Sequence, residues 1–189
     1  MNYNYLPDKY QLKREIDFKG DKKLTLIINL SSCIILMLMF LTALFFIPLA
    51  LELNSAIFYF IILFGFMIVY IALKELIHGL FIKLFLKEKL KFGLVIRHGY
   101  IRCEKGFFDK KSYVIMTLSP IVFLGIILSI LNLIFPQWFW FIYFIQMLNI
   151  SGAAFDLYTA AAILKMPDNV LVNYTGVNMK FYISANKNK

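Results

Sequence analysis

Four ionisable side chains lie inside long apolar runs, where a charge needs a partner. Lys74, Glu75 and His78 lie in one run, and Asp156 lies in another. In a helix, His78 would share one broad face with the residues three and four positions before it, Glu75 and Lys74. Inserting an ionised group into a bilayer costs about 2.5 to 3.5 kcal/mol, so such groups usually mark a functional site or a compensating pair. These four residues are therefore the candidate functional site.

A second polar stripe runs along the segment that contains Asp156. Asn149, Gly152 and Asp156 follow the helical spacing i, i+3, i+7, and the residues around Gly152 are small, so a neighbouring helix can approach closely. At about 1.5 Å per residue, Glu75 and Asp156 each lie about 12 to 14 Å from the basic end of their helix. The two sets of side chains can therefore face each other at one depth, with Asn149 and Gly152 supporting the packing.

The composition indicates that these residues are positioned by membrane helices. The chain is 61% hydrophobic and only 16% charged, with a mean hydropathy of +0.74, whereas soluble domains are roughly 45 to 50% apolar and 25% charged. In such a chain, a net charge of +9 indicates cytoplasmic loops that contact anionic lipid. No nucleic-acid-binding motif is present, so we expect membrane lipids and no nucleic acid as partners.

Four apolar runs are each long enough to span a bilayer, which needs about 20 residues. They cover residues 24–51, 56–85, 112–135 and 137–165, and the last two are separated at Pro136. The pattern predicts a single membrane domain of the all-α polytopic class with four transmembrane helices. A head (residues 1–23), a middle loop (86–111) and a tail (166–189) complete it.

The basic residues predict the orientation of these helices. Of the 20 Lys and Arg residues, 6 lie in the head, 9 from Lys83 to Lys111, and 4 from Lys165 onward, whereas the twentieth, Lys74, lies well inside a span. Because basic loops stay on the cytoplasmic side, we expect a multi-pass protein of the cell membrane with both termini and the middle loop in the cytoplasm.

Two segments outside the runs have strand-like content. Residues 92–104 place β-branched and aromatic residues on both sides of His98-Gly99, which predicts a short β-hairpin with those two residues as its turn. Residues 171–183 have similar content and are interpreted either as an extended piece on the same side or as an interfacial loop.

The motif around His78 carries a family resemblance. The string Lys74-Glu75-Leu76-Ile77-His78-Gly79 resembles the HExxH-Gly motif of intramembrane metalloproteases with its first His replaced by Lys. The order of features also resembles the bacterial family of putative zincin peptidases, which is distantly similar to site-2 proteases. These features are a first span, the motif span, a β-like segment, a span with Ser119-Pro120 and a span with Asn149, Gly152 and Asp156.

The resemblance implies a zinc site in which His78 and Asp156 are ligands and Glu75 is the general base. Lys74 stands where the first His ligand belongs. An ammonium group must lose a proton before it can coordinate a metal, and its reference pKa is about 10.4. The ligand set is therefore incomplete, and we expect zinc to be absent or weakly bound.

Three functions are compatible with this pattern. In the favoured one, the chain is a pseudoenzyme that binds membrane proteins or peptides, and Lys74 with a protonated His78 supplies the two positive charges of the missing zinc. Alternatively, it is an active intramembrane zinc metallopeptidase that uses His78, Asp156 and Glu75. The weakest alternative is a small transporter or proton relay built on the same ionic cluster. The resemblance to site-2 proteases also implies that a strand edge near the site could hold an extended substrate.

Overall fold

The architecture is described from a computed structural model of the chain. The structure describes residues 2–18, 20–47, 56–86, 91–95, 98–102, 106–174 and 178–184. Helices dominate these ranges, and short strands precede, separate and follow them.

Four helical segments are long and apolar enough to cross a membrane, as the sequence predicts. Helix α1 covers Lys22–Phe46, α2 covers Ala56–Leu86 and α3 covers Lys110–Ile134. The fourth segment starts with a 3₁₀ turn at Pro136–Trp138 and consists of two helices, α4 (Phe139–Ser151) and α5 (Ala154–Leu164). The first run is helical only to Phe46, because Ile47 has an extended backbone, and the fourth run is interrupted.

Aspartates begin two of these helices. The Asp21 carboxylate accepts a hydrogen bond from the Leu24 backbone N–H at 3.0 Å, and the Asp109 carboxylate accepts one from the Ser112 N–H at 2.8 Å. Each satisfies a backbone donor that the first turn of a helix leaves without a partner. These caps explain why α1 and α3 begin just before their apolar runs.

The all-α expectation needs a correction, because within the described ranges six strands form two antiparallel sheets. The strands are β1 (Tyr10–Asp17), β2 (Lys91–Val95), β3 (His98–Arg102), β4 (Phe108–Asp109), β5 (Val170–Tyr174) and β6 (Asn178–Ser184). A four-stranded sheet has the order β1-β6-β5-β4, so it joins the head, the start of α3 and the tail. Strand β1 was not predicted from the sequence, because it is a charged edge strand in which only Ile16 is buried.

The predicted hairpin is present as β2 and β3, but its turn lies elsewhere. Val95 pairs with His98, so His98 and Gly99 begin β3, and the connection falls on residues 96–97, which lie outside the described residues. The register follows from pairing the two strand-like segments along their length, which places Phe92 opposite Ile101.

The four-stranded sheet packs on one end of the helix bundle. Its inner face contributes Phe181, Met179 and Val172 to a core that also contains Leu86 and Ile163. A second core lies deeper between α2, α3 and α4, around Tyr70, Leu124, Leu128, Ile142 and Ile145. In contrast, only 6% of the most apolar 18-residue stretch is buried in α1, and the same share is buried in α2. The outer faces of both helices therefore consist of exposed apolar side chains.

Candidate functional site

The centre of the site is an ion pair between α2 and α5. The Lys74 Nζ lies 2.9 Å from Asp156 Oδ2, and the two side chains are only 17% and 13% exposed. The helical spacing predicts that these residues face each other, and the structure brings them together. A contact this short between two mostly buried, oppositely charged groups is a charge-assisted hydrogen bond.

The ion pair forms at the interruption between α4 and α5. Helix α4 ends at Ser151, Gly152 donates its N–H to the Leu148 carbonyl at 2.9 Å, and α5 starts at Ala154. Such a break frees backbone carbonyls, which need donors when no water is at hand. The Ser151 carbonyl accepts from Ser32 Oγ on α1 at 2.6 Å. Lys74 Nζ lies 3.4 Å from the Gly152 carbonyl. Side chains from two other helices therefore satisfy the broken segment.

Gly152 and Asp156 suit the two sides of this break. A Cβ atom added to Gly152 would lie 2.7 Å from the Leu148 carbonyl oxygen, so a larger residue would force the backbone apart. Asp156 lies in the first turn of α5, where the positive end of the helix dipole stabilises a carboxylate. The supporting role that the sequence predicts for Gly152 thus has a steric basis.

Asn149 connects three helices above the ion pair. Its side chain is buried at 1% exposure. Its Oδ1 accepts a hydrogen bond from the Tyr70 hydroxyl at 3.2 Å, and its Nδ2 donates to the Ile121 carbonyl at 3.2 Å. Because α4 carries Asn149, α2 carries Tyr70 and α3 carries Ile121, one side chain fixes the relative positions of these helices.

His78 lies one helical turn beyond Lys74, against α3. Its imidazole hydrogen-bonds with the Thr117 backbone carbonyl, and both Asp156 and Lys74 act on it electrostatically. The Nε2 atom is buried and has no hydrogen-bond partner, so Nδ1 is the donor to Thr117. The structure thus places His78 within electrostatic range of the ion pair and leaves one imidazole lone pair without a partner among the described residues.

Helix α3 presents this carbonyl next to a proline. Pro120 has no N–H, so it cannot bond to the Met116 carbonyl one turn earlier. The Ser119 hydroxyl takes that place and donates to the Met116 carbonyl at 2.9 Å. The Ser-Pro pair carries part of the resemblance. It replaces one backbone hydrogen bond of α3 by a side-chain hydrogen bond, one residue before the Thr117 carbonyl that bonds to His78.

Glu75 lies beside Lys74 on α2 and is half-buried. Its charge acts on the Tyr70 hydroxyl, as does that of Asp156. His98 begins β3 and lies outside α2, which carries His78.

Three contacts of the site were not predicted from the sequence. Tyr70 precedes Lys74 by one helical turn, so the spacing 70, 74, 78 could have placed it on the same stripe. The carbonyl of Thr117 and the hydroxyl of Ser32 have no comparable signal. A backbone acceptor carries no residue code, and a serine in a span is most often bonded to its own helix.

The side chains present do not fit a catalytic zinc. Such a metal needs three protein ligands and a position for water, but the cluster has only one imidazole, and one of its two carboxylates already binds an ammonium. Within the part of the chain that the structure describes, no three His, Cys, Asp or Glu residues are grouped closely enough to hold a metal ion.

The fold and the site define a class of protein with four apolar helical segments of membrane-spanning length and a buried ionic cluster at a break in the last one. The chain belongs to the family described as putative zincin peptidase, whose family model matches residues 67–171. That segment contains the Lys74 motif and Asp156, and it confirms the resemblance predicted from the sequence. No curated protein and no solved structure matches the chain.

Proposed function

We propose that this chain is a membrane-embedded family member without hydrolytic activity, in which the Lys74 ammonium takes the place of the zinc ion. The observation that carries the proposal is the 2.9 Å contact between Lys74 Nζ and Asp156 Oδ2. A protonated amine has no lone pair for a metal, and its charge repels one. Lys74 therefore removes one ligand and occupies a second.

Membrane embedding is supported by the surface of the helices. Large apolar residues such as Phe64, Leu73 and Leu133 are exposed along α2 and α3, and an apolar surface of this extent needs lipid around it. The four-stranded sheet packs on the helix ends that carry the basic residues. By the positive-inside rule, the termini and both sheets lie in the cytoplasm, and the protein is a multi-pass protein of the cell membrane.

The charge state of His78 follows from its hydrogen bonds. An imidazolium would bury a second N–H at Nε2 with no acceptor, which costs about 1 to 3 kcal/mol beyond the cost of burying the charge. We therefore assign a neutral imidazole. This revises the expectation that His78 and Lys74 both carry a positive charge, and leaves Lys74 as the cation that compensates Asp156.

The proposed activity is the binding of a membrane-protein segment or peptide. The ion pair and the Asn149 network keep the helices packed together without a metal. The surface around the ion pair can therefore keep its shape after catalysis is lost. Among the described residues, β2 and β3 pair only with each other. Their outer edges can therefore accept an extended segment by strand addition.

One observation favours the second candidate, an active zinc metallopeptidase with His78 and Asp156 as ligands and Glu75 as base. The Nε2 lone pair of His78 is unused, while a backbone carbonyl orients the other ring nitrogen. Metal-binding histidines are commonly oriented in this way.

Zinc content and peptide cleavage of purified wild type and Lys74→His distinguish the two candidates. The proposal expects stoichiometric zinc only in Lys74→His, and expects the Lys74→His/Asp156→Asn double variant to lose it. About one zinc per wild-type chain, together with cleavage that Glu75→Gln abolishes, would refute the proposal and establish the peptidase.

A further inference from the structure

A cleft of about 410 Å³ lies between the edge of the sheet and the end of α5, apart from the ion-pair site. Arg14 of β1 lines one side, and Tyr158, Lys165 and Met166 line the other. Two basic groups and one hydroxyl therefore surround a cleft whose remaining wall is apolar.

A β-bulge turns Arg14 towards this cleft. Leu12 pairs with Tyr182, whereas Arg14 pairs with Phe181, so Lys13 is an extra residue in β1. Phe181 is fully buried on the inner face of the sheet. Without the extra residue, Arg14 would lie on the outer face with Leu12, because alternate residues of a strand share a face. The bulge thus places a guanidinium on the side of the sheet that faces the helices.

Within the part of the chain that the structure describes, the basic groups of the cleft have no acidic partner. The Arg14 and Lys165 side chains form no ion pair or hydrogen bond with any residue in the described ranges, and the same is true of the Tyr158 hydroxyl. The nearest acid on β1, Glu15, bonds to Lys180 and Asn178 on the outer face. The cleft is therefore an uncompensated cationic site.

The position of the cleft indicates that its ligand also has an apolar part. Lys165 directly follows the last residue of α5, so the cleft lies where the apolar segment ends. Below it, Leu157, Ala161 and Leu164 are exposed at helical spacing, and they form a continuous apolar track towards the middle of the segment. A ligand that fits both parts has an anionic head and a hydrocarbon chain.

We infer that this cleft binds an anionic phospholipid, with the phosphate between Arg14, Lys165 and the Tyr158 hydroxyl and an acyl chain along the exposed track of α5. Basic pockets at the cytoplasmic end of membrane helices bind acidic lipid headgroups in this way. The inference rests on the proposed membrane embedding. It adds a specific lipid site to the diffuse attraction that basic loops provide.

The test uses the full chain in nanodiscs of phosphatidylcholine, with or without phosphatidylglycerol, and measures bound lipid by native mass spectrometry and the melting temperature. Phosphatidylglycerol should raise the melting temperature of the wild type. In Arg14→Gln/Lys165→Gln, its affinity should fall about 30-fold, because each basic side chain near an anionic headgroup contributes about fivefold.

The matched control, Lys9→Gln/Lys23→Gln, removes the same charge from exposed positions of the head outside the cleft and should retain the wild-type response. Ala161→Trp keeps every charge but fills the cleft with a large side chain. This variant should therefore also retain less phosphatidylglycerol than the wild type. Equal losses in the cleft and control variants would overturn the site. Inorganic phosphate producing the same rise in phosphatidylcholine discs would overturn lipid as the ligand. Failure to enter even phosphatidylcholine discs would instead refute the membrane embedding.

Discussion

Replacing Lys74 by Met should strongly destabilise the fold. The two charged groups are 2.9 Å apart, and their side chains are 17% and 13% exposed. At an effective dielectric constant of about 20, their attraction is about 6 kcal/mol before the cost of desolvation. Lys74→Met removes this attraction and leaves the Asp156 carboxylate buried without a cation, which costs about 3 to 5 kcal/mol.

A double-mutant cycle isolates the ion pair from other effects of the substitution. Asp156→Leu alone leaves a buried ammonium and should cost a similar amount. The double variant Lys74→Met/Asp156→Leu buries neither charge and should be within about 2 kcal/mol of the wild type, because apolar replacement of a whole buried pair is often neutral. The coupling energy should therefore exceed about 4 kcal/mol.

The measurement is the free energy of unfolding in mixed micelles, followed by far-ultraviolet circular dichroism during titration with a denaturing detergent. Lys83→Met is the matched control, since Lys83 is an exposed lysine of the same helix, and should change stability by less than about 0.5 kcal/mol. The reasoning fails if Lys74→Met costs no more than this control, or if the double variant is as unstable as the sum of the single ones.

Three further predictions use the same unfolding assay. Gly152→Ala should cost about 1 to 3 kcal/mol, because its Cβ would lie 2.7 Å from a backbone oxygen, whereas Gly65→Ala, with nothing within 4 Å, should be neutral or stabilising; equal effects would argue against the tight break. Asn149→Leu should cost about 2 to 3 kcal/mol, since it leaves the buried Tyr70 hydroxyl without its partner and removes the hydrogen bond to the Ile121 carbonyl; a change below about 0.5 kcal/mol would contradict the network. Burial raises the pKa of the Asp109 carboxyl, but hydrogen bonds, including that from the Ser112 N–H, outweigh it and hold the pKa below its ordinary 3.8. Asp109 therefore stabilises the fold above that value and loses its contribution as pH falls below it. Asp109→Ala should cost about 1 kcal/mol at neutral pH and weaken the acid sensitivity; an unchanged acid profile would count against this.

The apolar runs and the ionic residues inside them could be predicted because they depend on local composition. An uncharged run of more than 20 residues has few alternatives to a membrane helix, and the spacing of Lys74 and His78 follows from helix geometry alone. The same local information located the β2 and β3 hairpin, although its turn was placed two residues too late.

The chain sequence thus determined the helical segments, the candidate ionic residues and the family resemblance. Only the tertiary structure decided that Lys74 binds the Asp156 carboxylate, that the last segment breaks at Gly152, and that a bulge turns Arg14 inward. These features depend on contacts between residues far apart in the chain. Donors from α1 and α2 satisfy the carbonyls of the break, and pairing with β6 sets the register of β1. Local residue patterns encode neither the donors to these carbonyls nor the register of β1. Both depend on the segment that packs or pairs with the residue, rather than on the residue itself.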